Sequence, residues 1–178
     1  MILNDEQKMV QDMLRDYSQN KLKPTAAERD KTAQFPAQEL KELGELGALG
    51  MTVSEQWGGA GLDYVSLVLA LEEIAAGDGA ISTIVSVQNS LPCGITQRYG
   101  TEEQKEKYLT KLATGEWLGC FCLTEPQAGS DAGAIPDTGV VCYGQFEGQE
   151  VLGLRMNFSK RWITLAPIAT VIGLAFKL

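Results

Sequence analysis

Two short stretches of this sequence combine residue types that could do chemistry. The first is FCLTEPQAGSD at residues 121–131. It opens as an apolar strand and breaks at Pro126 into a small, flexible turn, Ala128-Gly129-Ser130. A strand that ends in hydroxyl-bearing residues and glycine offers backbone N–H groups and side-chain donors together, a combination suited to an electron-rich, anionic or heteroaromatic ligand. The second is Trp162-Ile163-Thr164, where an indole can cover a ring face while the threonine bonds its edge. Between Thr124 and Pro126 stands Glu125. It could act as a catalytic carboxylate or order the loop by bonding backbone amides, and the rigid turn at Pro126 favours the ordering role.

Other candidates carry less. Glu72 and Glu73 are neighbours on a helix and point about 100° apart, so they cannot share a site as acid and base. The glycine cluster Gly58-Gly59-Ala60-Gly61 lacks both phosphate-loop spacings and follows a helical region, so it reads as an interhelical turn. The four cysteines form no CxxC pair and the chain has no histidine. That excludes a mixed Cys–His zinc site and every Ser–His or Cys–His nucleophile. Cys120 and Cys122 share one face of a strand and read as small buried residues of a reducing, cytoplasmic compartment.

The elements that must position these residues change in kind along the chain. Residues up to about 115 carry helical periodicity. Asn4 with Gln7 and Thr101 with Gln104 form capping boxes, and Asp63 caps a third helix. Helices are expected over 4–20, 36–47, 63–77, 81–98 and 102–114, with Pro92 bending the fourth. Lys23 to Gln34 has almost no apolar residues and reads as a connection. After Gly115 the period changes. Trp117–Thr124, Gly139–Phe146, Glu150–Phe158, Arg161–Leu165 and Thr170–Phe176 read as strands, the middle two joined at Glu147-Gly148-Gln149. The expected fold class is α+β: an N-terminal all-α bundle over 1–116, then a partial antiparallel β-domain over 117–178.

Composition agrees with a globular protein: 44% apolar and 21% charged residues in 178. A net charge of −8 disfavours nucleic acid and anionic membrane surfaces as partners. No secretory signal is visible at the N-terminus, and the apolar C-terminal segment from Ile163 is too short and too interrupted for a membrane span. The strand pattern runs almost to Leu178 and looks like a cut edge.

TEPQAGSD, WIT, EQWGGAGLDY at 55–64 and GTEEQKEKYLTKLATGE at 100–116 together resemble the acyl-CoA dehydrogenase family, in order and over nearly the whole chain. The resemblance implies FAD as cofactor, an acyl-CoA as substrate, electron-transfer flavoprotein as electron acceptor and a homo-oligomer at full length. It implies that Phe121, Cys122, Leu123, Thr124, Gly129 and Ser130 line the flavin, Thr124 bonding the ring edge and Ser130 also meeting the acyl-CoA. Trp162 would pack on the ring, with Ile163 beside it, and Thr164 would bond near the nitrogen that receives hydride. It places the catalytic glutamate in a C-terminal helical domain outside these residues, so no catalytic residue is expected here, and the chain alone is expected to be inactive. Ala132–Gly139 and 157–178 look more like the bacterial long-chain branch, and the first half more like the short- or branched-chain branch. Two other readings stand beside the enzyme: a non-catalytic flavin- or acyl-CoA-binding partner subunit, and a gene fragment without function.

Overall fold

From Asp5 to Thr32 the chain is helical without a break. Helix α1 (Asp5–Tyr17) starts at the Asn4 capping box, widens into a π-helical turn at Ser18–Leu22 and continues as α2 (Lys23–Thr32). The computed structural model describes residues 2–178; Met1, the first residue of the expected 1–116 unit, lies outside them.

Helix α2 corrects the expectation of a connection over Lys23–Gln34. Pro24 sits in the first turn, where its missing N–H costs no hydrogen bond, so it admits the helix and does not close it. The segment lacks an apolar stripe because its anchor is a cation. Arg29 is buried and donates to Asp78 (2.7 Å), Glu39 (3.0 Å) and the Leu22 carbonyl (2.9 Å). Ala33 then ends α2 in the left-handed conformation.

Helix α3 (Ala37–Glu45) contributes Leu40 and Leu43 to the core. Helix α4 (Tyr64–Gly77) starts at Asp63, which accepts from the Ser66 N–H. Its buried side includes Leu67, Leu69, Ala70 and Ile74, while Val68 and Ala75, expected inside, are exposed. Asp78 caps α5 (Gly79–Gln88) with one carboxylate oxygen and pairs with Arg29 through the other. The helix opens into a π-helical turn at Asn89–Cys93, which takes up Pro92, and resumes as α6 (Gly94–Tyr99). Helices α7 (Glu102–Gln104) and α8 (Thr110–Thr114) flank a third π turn behind the Thr101 capping box.

The β part has two pieces. Strands β2 (Gly139–Phe146) and β3 (Gln149–Met156) form an antiparallel hairpin whose turn residues, Glu147 and Gly148, both have positive φ. Strands β1 (Gly119–Cys122) and β4 (Val171–Leu174) pair in parallel, Gly119 opposite Val171 and Cys122 opposite Leu174. The α+β class holds, and the antiparallel expectation applies to the hairpin alone. Arg161–Leu165 is not a strand. Ile163 and Leu165 turn inward as a strand pattern requires, yet Trp162 and Leu165 adopt positive φ, and Ile163 and Leu165 accept the bonds of successive turns.

The main core joins α1, α3, α4 and α5 through Leu14, Leu43, Ile74 and Ile81, and it also takes in Cys120, Cys122 and Leu165. The first strand is therefore docked on the helical core. No helix is long and apolar enough to cross a membrane among the described residues.

Candidate flavin site at the end of the first strand

Gln88 fixes where β1 begins. Its fully buried amide donates to the carbonyls of Leu112 (2.8 Å) and Trp117 (3.0 Å), and its oxygen accepts from the Gly119 N–H (3.0 Å). Gly119 lies so close to Pro92 that a Cβ there would stand 2.6 Å from the proline ring. From this anchor the side chains alternate. Cys120 and Cys122 enter the core with sulfurs 3.8 Å apart. Phe121 lines a cleft of about 190 Å³ with Leu91, Pro92 and Ile95.

Beyond β1 the chain passes through the half-buried Leu123 and Thr124 into a tight turn. The Glu125 and Ala128 backbones bond each other in both directions, at 2.9 and 3.3 Å. Gly129 and Ser130 follow, both exposed. Glu125 is buried and ion-paired with Lys160, so it orders the loop through a cation and not through backbone amides as expected. Asp137 approaches the same ammonium at 3.3 Å.

The second motif is delivered to the same place. The Arg161 N–H donates to the Thr124 carbonyl at 2.9 Å, so Trp162 begins one residue from the bond to Thr124 of the first motif. The indole is 86% exposed and stands on a left-handed backbone, φ 59°. A non-glycine residue in that region is uncommon, and strain of this kind gathers at functional sites. Ile163 packs on the core and Thr164 is exposed. The two motifs thus meet through Thr124 and Arg161, with Trp162 outermost. Cys122 and Ile163 turn their side chains to the core. The residues fit a flat heteroaromatic group with polar edges: an exposed indole stands one residue from Arg161, the chain partner of the half-buried Thr124 at the seam, and Ser130 and Thr164 carry exposed hydroxyls further along the two motifs.

The electrostatics leave few reactive groups. Burial, with the neighbouring Cys122 thiol, pushes Cys120 up to about 11, and burial pushes Cys93 up to about 12, so both are thiols near neutral pH. Burial pulls the Lys160 ammonium down, but its bonds to Glu125 and Asp137 outweigh this and raise it above the ordinary lysine value. Glu73 is bonded to Arg15 (2.6 Å) and Gln11 (3.1 Å) while Glu72 is exposed, so the pair has no common site. The glycine cluster is a turn between α3 and α4, with Gly58 and Gly61 at positive φ. Among the described residues no cluster of three or more metal-ligating side chains occurs. Sequence reasoning missed Lys160; the available signal was a lysine two residues before Trp162 and close to an apolar run.

Comparison with known proteins places the chain in a family. Residues 4–116 match the acyl-CoA dehydrogenase N-terminal domain. The short-chain-specific acyl-CoA dehydrogenase of Clostridium acetobutylicum is 40% identical over 167 residues, covering 94% of this chain and 42% of that protein. Butyryl-CoA dehydrogenase from Megasphaera elsdenii superposes with a TM-score of 0.84 at 34% identity, over 98% of this chain and 44% of that one. Glutaryl-CoA dehydrogenase from Mycobacterium smegmatis, solved in complex with FADH2, gives a TM-score of 0.82 at 35% identity, over 96% and 42%. The chain belongs to the acyl-CoA dehydrogenase family. It spans about two-fifths of the length of these relatives.

Proposed function

We propose that this chain supplies the helical unit (1–116) and the first flavin-contacting β unit (117–178) of a cytoplasmic FAD-dependent acyl-CoA dehydrogenase. The observation that carries the reading is the seam between Thr124 and Arg161, which sets the strand end beside the exposed Trp162. Family membership and the FADH2 complex of the mycobacterial relative support it.

The chemistry that FAD supplies when bound is acceptance of the hydride removed from the β-carbon of an acyl-CoA. The residues of this chain bind and orient. Phe121, Cys122, Leu123 and Thr124 form the strand end beside the ring, with the Thr124 hydroxyl at its polar edge. Gly129 would let the loop approach the ring, and Ser130 would meet both ring and thioester. Trp162 would cover the ring face, Ile163 pins the turn to the core, and Thr164 would offer a hydroxyl to the ring. In the full-length protein, a homo-oligomer in this reading, electrons leave to electron-transfer flavoprotein.

The test is a titration of FAD into the purified chain and into Trp162→Ala, followed by flavin absorbance and fluorescence. Saturable binding that the substitution weakens supports the assignment. Equal affinity in both proteins, or no binding, sinks it.

A further inference from the structure

A single ammonium lies under the seam. The Lys160 side chain is 5% exposed and that of Glu125, its ion-pair partner, 1%. The Lys160 ammonium also donates to the Ala175 carbonyl at 2.8 Å, reaches the Leu123 carbonyl at 3.4 Å and lies 3.3 Å from Asp137. It therefore touches three separate stretches: the segment that runs from the end of β1 into the loop leading to Ser130, the approach to β2 and the exit of β4. Its own backbone neighbour, Arg161, makes the bond to Thr124.

Apolar side chains could fill this space without the desolvation cost of the Lys160 and Glu125 charges, both with enclosed side chains, and of the half-buried Asp137. What an ion cluster adds is direction. The second oxygen of Glu125 has no hydrogen-bond partner, and the Asp137 oxygen 3.3 Å from the ammonium is held as an ion pair without hydrogen-bond geometry, so the arrangement is not optimised for polar satisfaction. Its consistent geometric result is that the first motif and the second are tied to one point. We propose that Lys160 is a positioning residue of the ring site: its ammonium holds the Thr124 loop and the Trp162 turn in mutual register. This rests on the reading that those two segments bind the flavin.

The deciding variant is neutral: Lys160→Met with Glu125→Gln and Asp137→Asn, which removes the clasp and leaves no buried charge unpaired. Hydrogen exchange is followed by peptide across the chain, and FAD affinity is measured on the same protein. The expected result is exchange faster by about tenfold or more over 123–130 and 160–165, with α1 to α5 unchanged. FAD affinity should fall by about tenfold or more in parallel. Unchanged exchange over those two segments would overturn the positioning role.

Faster exchange with wild-type FAD affinity would overturn the link to the ring. The affinity of Trp162→Ala then separates the two readings: a loss there keeps the site and removes Lys160 from it, and no loss removes the site itself. Lys160→Arg is the second arm should the neutral variant not fold. It keeps the cation, but its planar fork cannot place one donor toward both the Leu123 and Ala175 carbonyls. It is expected to weaken FAD binding by about threefold or more with folding retained, and wild-type affinity with wild-type exchange in this variant would overturn the proposal.

Discussion

The helical residues and the β2–β3 hairpin treat burial in opposite ways. Helices α1, α3 and α4 each close off one apolar side: Leu14, Leu43 and Ile74 are fully buried, and even a cation, Arg29 of α2, is enclosed by its partners, while Met9 and Val68 on the outer sides stay exposed. In the hairpin consecutive residues, Val140 and Val141, are both exposed, so neither face is covered by this chain. Tyr143, Phe146 and Leu152 are exposed as well. The candidate site lies between these extremes, with its floor in the helical core and its indole in solvent. Stability and ligand contact are thus assigned to different residues, and that division can be tested by substitution.

The largest effect is expected at Arg29. Replacing it with Met leaves Asp78 buried without its cation, and the cost should be about 3–5 kcal/mol in chemical denaturation. A cost near zero would show that the enclosed cation is not what ties α2 to the bundle. Next comes a matched pair. Leu43→Ala opens a cavity and should cost about 2–5 kcal/mol, while Leu152→Ala in the hairpin should stay within about 0.5 kcal/mol. Similar losses for the two would show that hairpin and helices bury their apolar side chains alike.

Smaller effects sharpen it at the seam. Trp162→Ala should leave the melting temperature of the chain almost unmoved, because the indole is exposed, yet reduce FAD binding by about 1–3 kcal/mol. Thr164→Val should cost about 0.5–1.5 kcal/mol of FAD binding. A fall in melting temperature as large without FAD as with it would instead make Trp162 a structural residue. The smallest perturbation is chemical labelling. With Cys93 held up to about 12 and Cys120 up to about 11, both should resist alkylation near pH 8. Cys142, half-buried on the hairpin, should react first, and mass spectrometry after a timed pulse reads the order. Early labelling of Cys93 would mean that the helical core opens more readily than the hairpin.

Much of this was legible in the sequence where local rules apply. Capping boxes at Asn4 and Thr101 were visible as residue pairs three apart, and both are formed. The β2–β3 turn was visible as Glu147-Gly148 between two alternating runs. Helix α2 was not, because hydrophobic periodicity cannot register a helix anchored by Arg29. The parallel pairing of β1 with β4 was not, because the partners are separated by the whole hairpin and nothing local encodes their register. At the site, both motifs could be named from residue types, but their junction through Arg161 and Thr124 is a tertiary fact. Lys160 escaped for a similar reason: lysine is almost never fully buried unless paired, and its partners lie 35 and 23 positions away in sequence.

Gln88 ties the candidate site to the helical bundle through one side chain. Its one side chain bonds α8, the segment after it and the first residue of β1. The amide of Gly119 finds its partner on α5, so the strand beneath the candidate site is bonded directly to the helical bundle. An opening of the bundle around Gln88 would therefore loosen the floor of the candidate site with it.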